Sequence, residues 1–360
     1  MTFAVDIAGL RAVPEISERL SRAALQCDEY AARYFTFTFG PGLINSVTGR
    51  HEEAQRQVSR FFTELRQITA ELGRAVQTAL DSYRATDQMM SAALDALLPA
   101  VGADLLNGRS ATLRPDLIPP GTTEPDRPTD ALTEPPDYAA QDPYQPSWTD
   151  LVSPGTLYRD AVFAVTWLGA QIGLLDRAYD PYDDFTMPLV GNWARMHALA
   201  DALHHLAEAA RQMAENADWI ALRIDASWLG NAGDAALVHV RRIATALRRA
   251  SSILDQLSGA YAAVLNDMKE INAIMALIIG DLIDAACFAV VAEATADTVI
   301  GPAIFLPAMR TEIGRVVNEV NGLLTRIQRA QVTVDLFGGK IGGLGILDAH
   351  LPHLPAVPVR

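Results

Sequence analysis

The strongest constraint on this chain is a run of apolar residues at alternating spacings of four and three. Leu199, Leu203, Leu206, Ala210, Met213, Ala217, Ile220 and Ile224 follow that rule, while Glu208, Arg211, Gln212 and Glu215 fill the intervening positions. Such spacing puts the apolar side chains on one stripe of an α-helix. After a break the pattern resumes as Val240, Ile243, Leu247, Ala250, Leu254, Leu257, Tyr261, Val264 and Met268, and continues through Ile271, Met275, Ile278 and Leu282. Two such stripes facing each other predict an antiparallel helical hairpin. Its turn is Trp228-Leu229-Gly230-Asn231-Ala232-Gly233-Asp234, where glycine and asparagine tolerate positive φ and Asp234 is placed to cap the next helix.

The start of the chain repeats the plan less regularly. Val13, Ile16, Leu20, Ala23, Cys27, Tyr30 and Tyr34 form one stripe, and Ala54, Val58, Phe61, Leu65, Ile68, Leu72, Ala75, Ala79 and Tyr83 form another. Between them, Gly40-Pro41-Gly42 forbids a continuous helix. Phe35, Phe37 and Phe39 alternate like a strand, but so short a piece has no partner to pair with, and a hydrophobic plug at the hairpin tip is expected. Hydrophobic residues make up 50% of the 360, enough for a sizeable core, and the Ala-, Leu- and Arg-rich composition favours helix. The expected fold is all-α, two antiparallel helical hairpins packed as an elongated bundle and joined by a Pro-rich linker.

The expected division is 1–104 for the first hairpin, 105–153 for the linker, 154–336 for the second hairpin with its flanking apolar helices, and 337–360 for a Gly/Pro-rich tail. The linker holds Pro115, Pro119, Pro120, Pro125, Pro128, Pro135, Pro136, Pro143 and Pro146. Each proline fixes φ and removes a donor, which excludes sustained helix. Two conformations remain open: an extended polyproline-II spacer, or a loop packed on the helices through Tyr138, Tyr144 and Trp148.

Several functions are disfavoured. A net charge of −14 argues against a nucleic-acid partner, which needs a basic face, and against an anionic membrane surface. Two cysteines, Cys27 and Cys287, are too few for a disulfide framework or a thiolate metal site. The first residues carry acids and no apolar core of signal-peptide length, so Sec export is not expected. His204 and His205 sit near His197, Asp201 and Glu208, but a matching ligand set on a facing helix is missing and a solvated helical face is the simpler expectation. Asp180, Asp183 and Asp184 form an acidic loop beside Tyr179 and Tyr182 without EF-hand spacing. The stretch from Gly338 to Gly345 is glycine-rich but lacks the Ser or Thr that a phosphate-binding loop places after its lysine. No cofactor, metal or catalytic residue is expected.

Two short motifs fall at informative places. Trp228-Leu229-Gly230 is a W-x-G in a hairpin turn, and Tyr83-Arg84-Ala85-Thr86-Asp87 is a Y-x-x-x-D at the end of the other hairpin's second arm. The stretch from Gly40 to Leu98, with its Phe-Gly turn, long Ala/Leu/Arg helix and Tyr-x-x-x-Asp, resembles the EspC-like family of type VII (ESX) secretion substrates. The stretch from Asn192 to about Met275 resembles a WxG hairpin. The resemblance implies that the tryptophan-glycine turn and the tyrosine-acid motif lie side by side as a composite export signal, supplied by two partner chains or, in EspB-like proteins, by one. Here one chain carries both halves, so Tyr83, Asp87, Trp228 and Gly230 are the candidate signal residues. The first hairpin has Phe39-Gly40-Pro41-Gly42 where W-x-G would stand, and the second lacks Y-x-x-x-D after its second arm.

A tryptophan at a hairpin tip suits an interface anchor, and a tyrosine and an acid four apart share a helix face. The ordinary alternatives are a core plug and a solvated helix surface. Ile271–Met309 is strongly apolar but is interrupted by Asp281, Asp284, Glu293 and Asp297. Burial between the hairpins is the expectation, with membrane contact or oligomerisation as the alternative. The expected function is that of an exported, non-enzymatic helical protein, secreted or held at the cell envelope, with a structural or oligomeric role and no room for a catalytic domain after Leu336. Its expected partners are a secretion ATPase or export chaperone, a helical protein, or further copies of itself. The rival is a cytosolic adaptor or chaperone of the same system.

Overall fold

The apolar seams fold into long helices. The computed structural model describes residues 3–86, 88–106, 109, 111–115, 127–138, 157–295, 301–343 and 351, and these are mostly helical. Helix α1 (Ile7–Leu10) is one turn, capped by the Asp6 carboxylate, which accepts from the Ala8 N–H at 3.0 Å. Helix α2 (Val13–Phe35) opens with Pro14, where a missing N–H is harmless. Helix α3 (Thr48–Ala85) returns alongside it. Ser21 Oγ donates to the Arg66 carbonyl at 3.0 Å, and Gly73 lies against the backbone of Pro14, so α2 and α3 run antiparallel. A short helix α4 (Gln88–Asp95) follows.

Helix α5 (Leu157–Gln171) precedes α6 (Trp193–Ser227), α7 (Asn231–Thr295) and α8 (Gly301–Gly343). Ser258 Oγ donates to the Ala200 carbonyl at 2.7 Å and Arg248 meets Asp218, so α6 and α7 are also antiparallel. Their facing seams are buried, including Leu203, Leu206, Met213, Ile220 and Ile224 on one side and Leu247, Leu254, Leu257 and Tyr261 on the other. Helix α2 packs beside α6, while α8 and α5 cover the later part of α7. At 1.5 Å per residue α6 is about 50 Å long. The two hairpin turns stand at its opposite ends: the Asn192 N–H, before α6, donates to the Phe39 carbonyl at 2.8 Å, and Trp228 follows its last residue.

The first turn is the expected apolar plug. Phe35 and Phe39 are buried around His51, whose Nε2–H donates to the Phe35 carbonyl at 2.9 Å. That choice leaves His51 Nδ1 to accept from the Tyr261 hydroxyl at 2.7 Å. Burial lowers the His51 pKa below its ordinary value, with the Phe35 carbonyl opposing.

Parts of the Pro-rich stretch and of the tail are packed on the bundle. Within the Pro-rich stretch, residues 127–138 pack onto α2 and α6: Tyr30 O–H donates to the Thr133 carbonyl at 2.6 Å, and the Tyr138 ring lies 3.8 Å from the His197 ring. This is the packed-loop alternative for that stretch; Tyr144 and Trp148 lie outside the described residues. The expected tail from 337 begins as helix, because Phe337 and Ile341 fall on one buried face of α8 and Phe337 meets Tyr261 at 4.9 Å. That burial outweighs the low helix propensity of the four glycines at 338, 339, 342 and 343. In the apolar segment, Ile271, Met275, Ile279 and Leu282 are buried, while the side chains from 287 to 310 lie outside the described set. Among the described residues, no helix is long and apolar enough to cross a membrane.

Candidate functional site at the Trp228 turn

Helix α6 ends where Trp228 adopts extended backbone, its N–H still donating to the Ile224 carbonyl. Two residues later Gly230 takes φ +125°, a region that favours glycine, and a Cβ there would lie 2.5 Å from an Asp95 carboxylate oxygen. The close approach has a purpose: the Asp95 carboxylate accepts from the Asn231 N–H at 2.8 Å and the Ala232 N–H at 2.9 Å. The start of α7 is thus capped by the last residue of α4, and not by Asp234 as its position suggested. Asn231 Nδ2 completes the link by donating to the Leu98 carbonyl at 3.0 Å.

Asp234 serves a different contact. Its carboxylate pairs with Arg109, which also donates to the Trp228 carbonyl and lies 3.9 Å from Asp225. Burial pushes the Asp234 pKa up and that of Arg109 down, in each case against the attraction of the pair. The Arg114 N–H donates to the Ala226 carbonyl at 3.0 Å. Arg109 and the Arg114 N–H thus add a second set of contacts to the end of α6 and its turn.

The rings of the two motifs meet. Trp228 is only 4% exposed, and its indole lies edge-on to the Tyr83 ring at 6.0 Å between centroids. The Tyr83 ring also meets Phe3 edge-on at 5.4 Å. Burial raises the Tyr83 hydroxyl to about 12, and the nearby indole N–H, which falls short of hydrogen-bond geometry, partly opposes the shift. At neutral pH Tyr83 is a neutral group that can offer or accept a hydrogen bond, and is no base. Trp228 is therefore buried, as in the core-plug alternative of the sequence reading.

A short strand closes the corner. Strand β1 (Ala4–Val5) pairs antiparallel with β2 (Trp228–Leu229), with Ala4 opposite Leu229 and Val5 opposite Trp228. The Asp6 N–H extends the contact by donating to the Ser227 carbonyl at 2.7 Å. Among the described residues Trp228 Nε1, Ser227 Oγ and Asn231 Oδ1 are buried without a hydrogen-bond partner.

Of the four sequence candidates, Tyr83, Trp228 and Gly230 come together, and Asp87 lies outside the described residues. Sequence reasoning missed Asp95, Arg109 and Phe3. The other acids and histidines are engaged elsewhere. Arg159 binds Asp180 and Asp183, Arg177 binds Asp184, His204 faces Asp255 at 3.0 Å, and His205 shares Tyr30 at 2.9 Å. Among the described residues no cluster of His, Cys, Asp and Glu could hold a metal ion.

These features define an all-α bundle whose second turn is enclosed by three other parts of its own chain. No family model, curated protein or solved structure matches the chain.

Proposed function

We propose that this chain is a substrate of type VII (ESX) secretion, with its two hairpins acting as an EspB-like single-chain composite signal and its Pro-rich stretch joining them. The observation that carries this reading is the edge-on contact of Tyr83 and Trp228, which unites the two motifs across 145 positions of sequence. Gly230 supports it, because the backbone there admits no ordinary side chain. The partner is a secretion ATPase or export chaperone that reads the corner. After export the protein has a structural or oligomeric role at the cell envelope and performs no catalysis.

The test compares wild type, Tyr83→Ala and Trp228→Ala in the culture filtrate and cytosol of the producing host. The expected result is export of wild type, with both variants retained in folded form. A wild-type protein that stays in the cytosol while binding other export substrates supports the adaptor instead, and reduces the two motifs to packing residues.

A further inference from the structure

We infer that residues 3–5 are a displaceable cover on the Trp228–Tyr83 corner, and that the slot beneath accepts an extended apolar segment of a partner protein by strand addition. This rests on the export reading only for the identity of that partner.

The N-terminal segment has two parts of different firmness. Asp6 through Leu10 is an anchor: Asp6 bonds to Ser227 and caps α1, Leu10 is fully buried, and a Cβ on Gly9 would lie 2.1 Å from Ser227 Oγ. Phe3, Ala4 and Val5 are only half-buried and are held by a two-residue ladder, one ring contact and the packing of Val5 on the core. A two-stranded ribbon has little stability of its own. The hinge therefore falls at Asp6, and lifting three residues leaves α1 in place.

What lifting exposes is a strand edge beside an aromatic pair. Among the described residues β1 is the only strand paired with β2. An unpaired edge supplies main-chain hydrogen bonds to an incoming extended segment, and a neighbouring pocket selects its side chains. Here the neighbouring group is the Tyr83 ring that Phe3 meets at 5.4 Å, so the incoming segment carries an aromatic residue at that register. Trp228 Nε1 is a donor left without a partner by the resident segment. A segment that adds an acceptor near its aromatic residue gains a bond that Phe3 cannot give. The buried tryptophan and a readable signal are reconciled in this way: the partner replaces the cover and need not unfold the turn.

The test locks the cover in the full chain. Ala4→Cys with Leu229→Cys, on a Cys287→Ser background, places two thiols directly opposite each other. Such antiparallel residues have Cα atoms about 4.5–5.5 Å apart, within disulfide reach. The remaining thiol, Cys27, is buried. The probe is a fluorescein-labelled peptide of residues 1–6, Met-Thr-Phe-Ala-Val-Asp, followed by anisotropy. The expected result is binding to the reduced protein, at least tenfold tighter binding to Val5→Pro, and loss of binding on oxidation or when the peptide's phenylalanine becomes alanine. Equal binding by oxidised and reduced protein overturns the proposal, as does absence of binding to both the reduced protein and folded Val5→Pro. If exchange occurs as expected while Trp228→Ala is exported normally, the cover stands and the export reading fails. If the peptide never exchanges while Trp228→Ala is retained, the export reading stands and the cover fails.

Discussion

The two hairpin turns differ in how fully their buried polar groups are satisfied. The Phe35–Gly42 turn is filled by its own phenylalanines around His51, is held by Tyr261, Val190 and Asn192 from remote parts of the chain, and has both ring nitrogens of that histidine bonded. The Trp228–Asp234 turn is closed from outside, by Phe3, Tyr83, Asp95 and Arg109 drawn from distant parts of the chain. Among the described residues Trp228 Nε1 and Asn231 Oδ1 in the turn, and Ser227 Oγ just before it, are buried without partners. Each such atom costs about 1–3 kcal/mol relative to a bonded one. A closure whose polar groups are satisfied resists opening. One that is covered by a two-residue ribbon and keeps buried polar atoms unmet opens more easily. On the proposed reading, this difference separates a structural tip from a signal that a partner reads.

The largest expected effects come from emptying either plug. Phe39→Ala and Trp228→Ala each remove a buried ring, and each is expected to cost about 3–5 kcal/mol in urea unfolding. If Trp228→Ala costs less than about 1 kcal/mol, the second turn is not packed as described. Next is Gly230→Ala, which forces a Cβ toward Asp95 at a positive φ. Strain at such backbone costs about 1–3 kcal/mol, and thermal melting should show it together with loss of the Asp95 cap. A Gly40→Ala control lacks the steric part, since its nearest neighbour is 3.6 Å away.

A smaller loss is expected for Asp95→Ala, which uncaps α7. Replacing a capping acid costs about 0.5–2 kcal/mol, and amide exchange of Asn231 and Ala232 should rise while that of the first turn is unchanged. The smallest effect belongs to His51. Its folded pKa is lowered, so the stability it contributes is fully present above its unfolded value, about 6.5, and is lost as pH falls through the lower folded value. Stability measured from pH 7.5 down to 5 should fall, and His51→Gln should flatten part of that slope. An unchanged slope would mean that His51 is not the neutral, bonded group described.

Much of the helical plan was legible because burial leaves a periodic trace. The seam from Leu199 to Ile224 and that from Val240 to Leu257 are the buried faces of α6 and α7. The phenylalanine plug was legible because three apolar rings next to Gly-Pro-Gly have few other places to go. The cap on α7 was not legible. Asp95 lies 136 positions from Asn231 and sits in a sequence where an acid at a helix end is unremarkable. Strand β1 is two residues long, too short for any period to show, and its pairing with Trp228–Leu229 is fixed by tertiary packing alone. The tail beyond Leu336 was misplaced because four glycines signal a break, while Phe337 and Ile341 favour helix only through contacts with the rest of the fold.

The most direct measurement sets the two turns against each other in the same assay. Export into culture filtrate is followed for Phe39→Ala and Trp228→Ala, with unfolding free energies measured on the purified variants to confirm comparable loss. The expected result is that Phe39→Ala is still exported while Trp228→Ala is retained, although both are similarly destabilised. Retention of both variants in proportion to the stability each has lost would contradict a signalling role for the Trp228 corner and leave it a packing site like its counterpart.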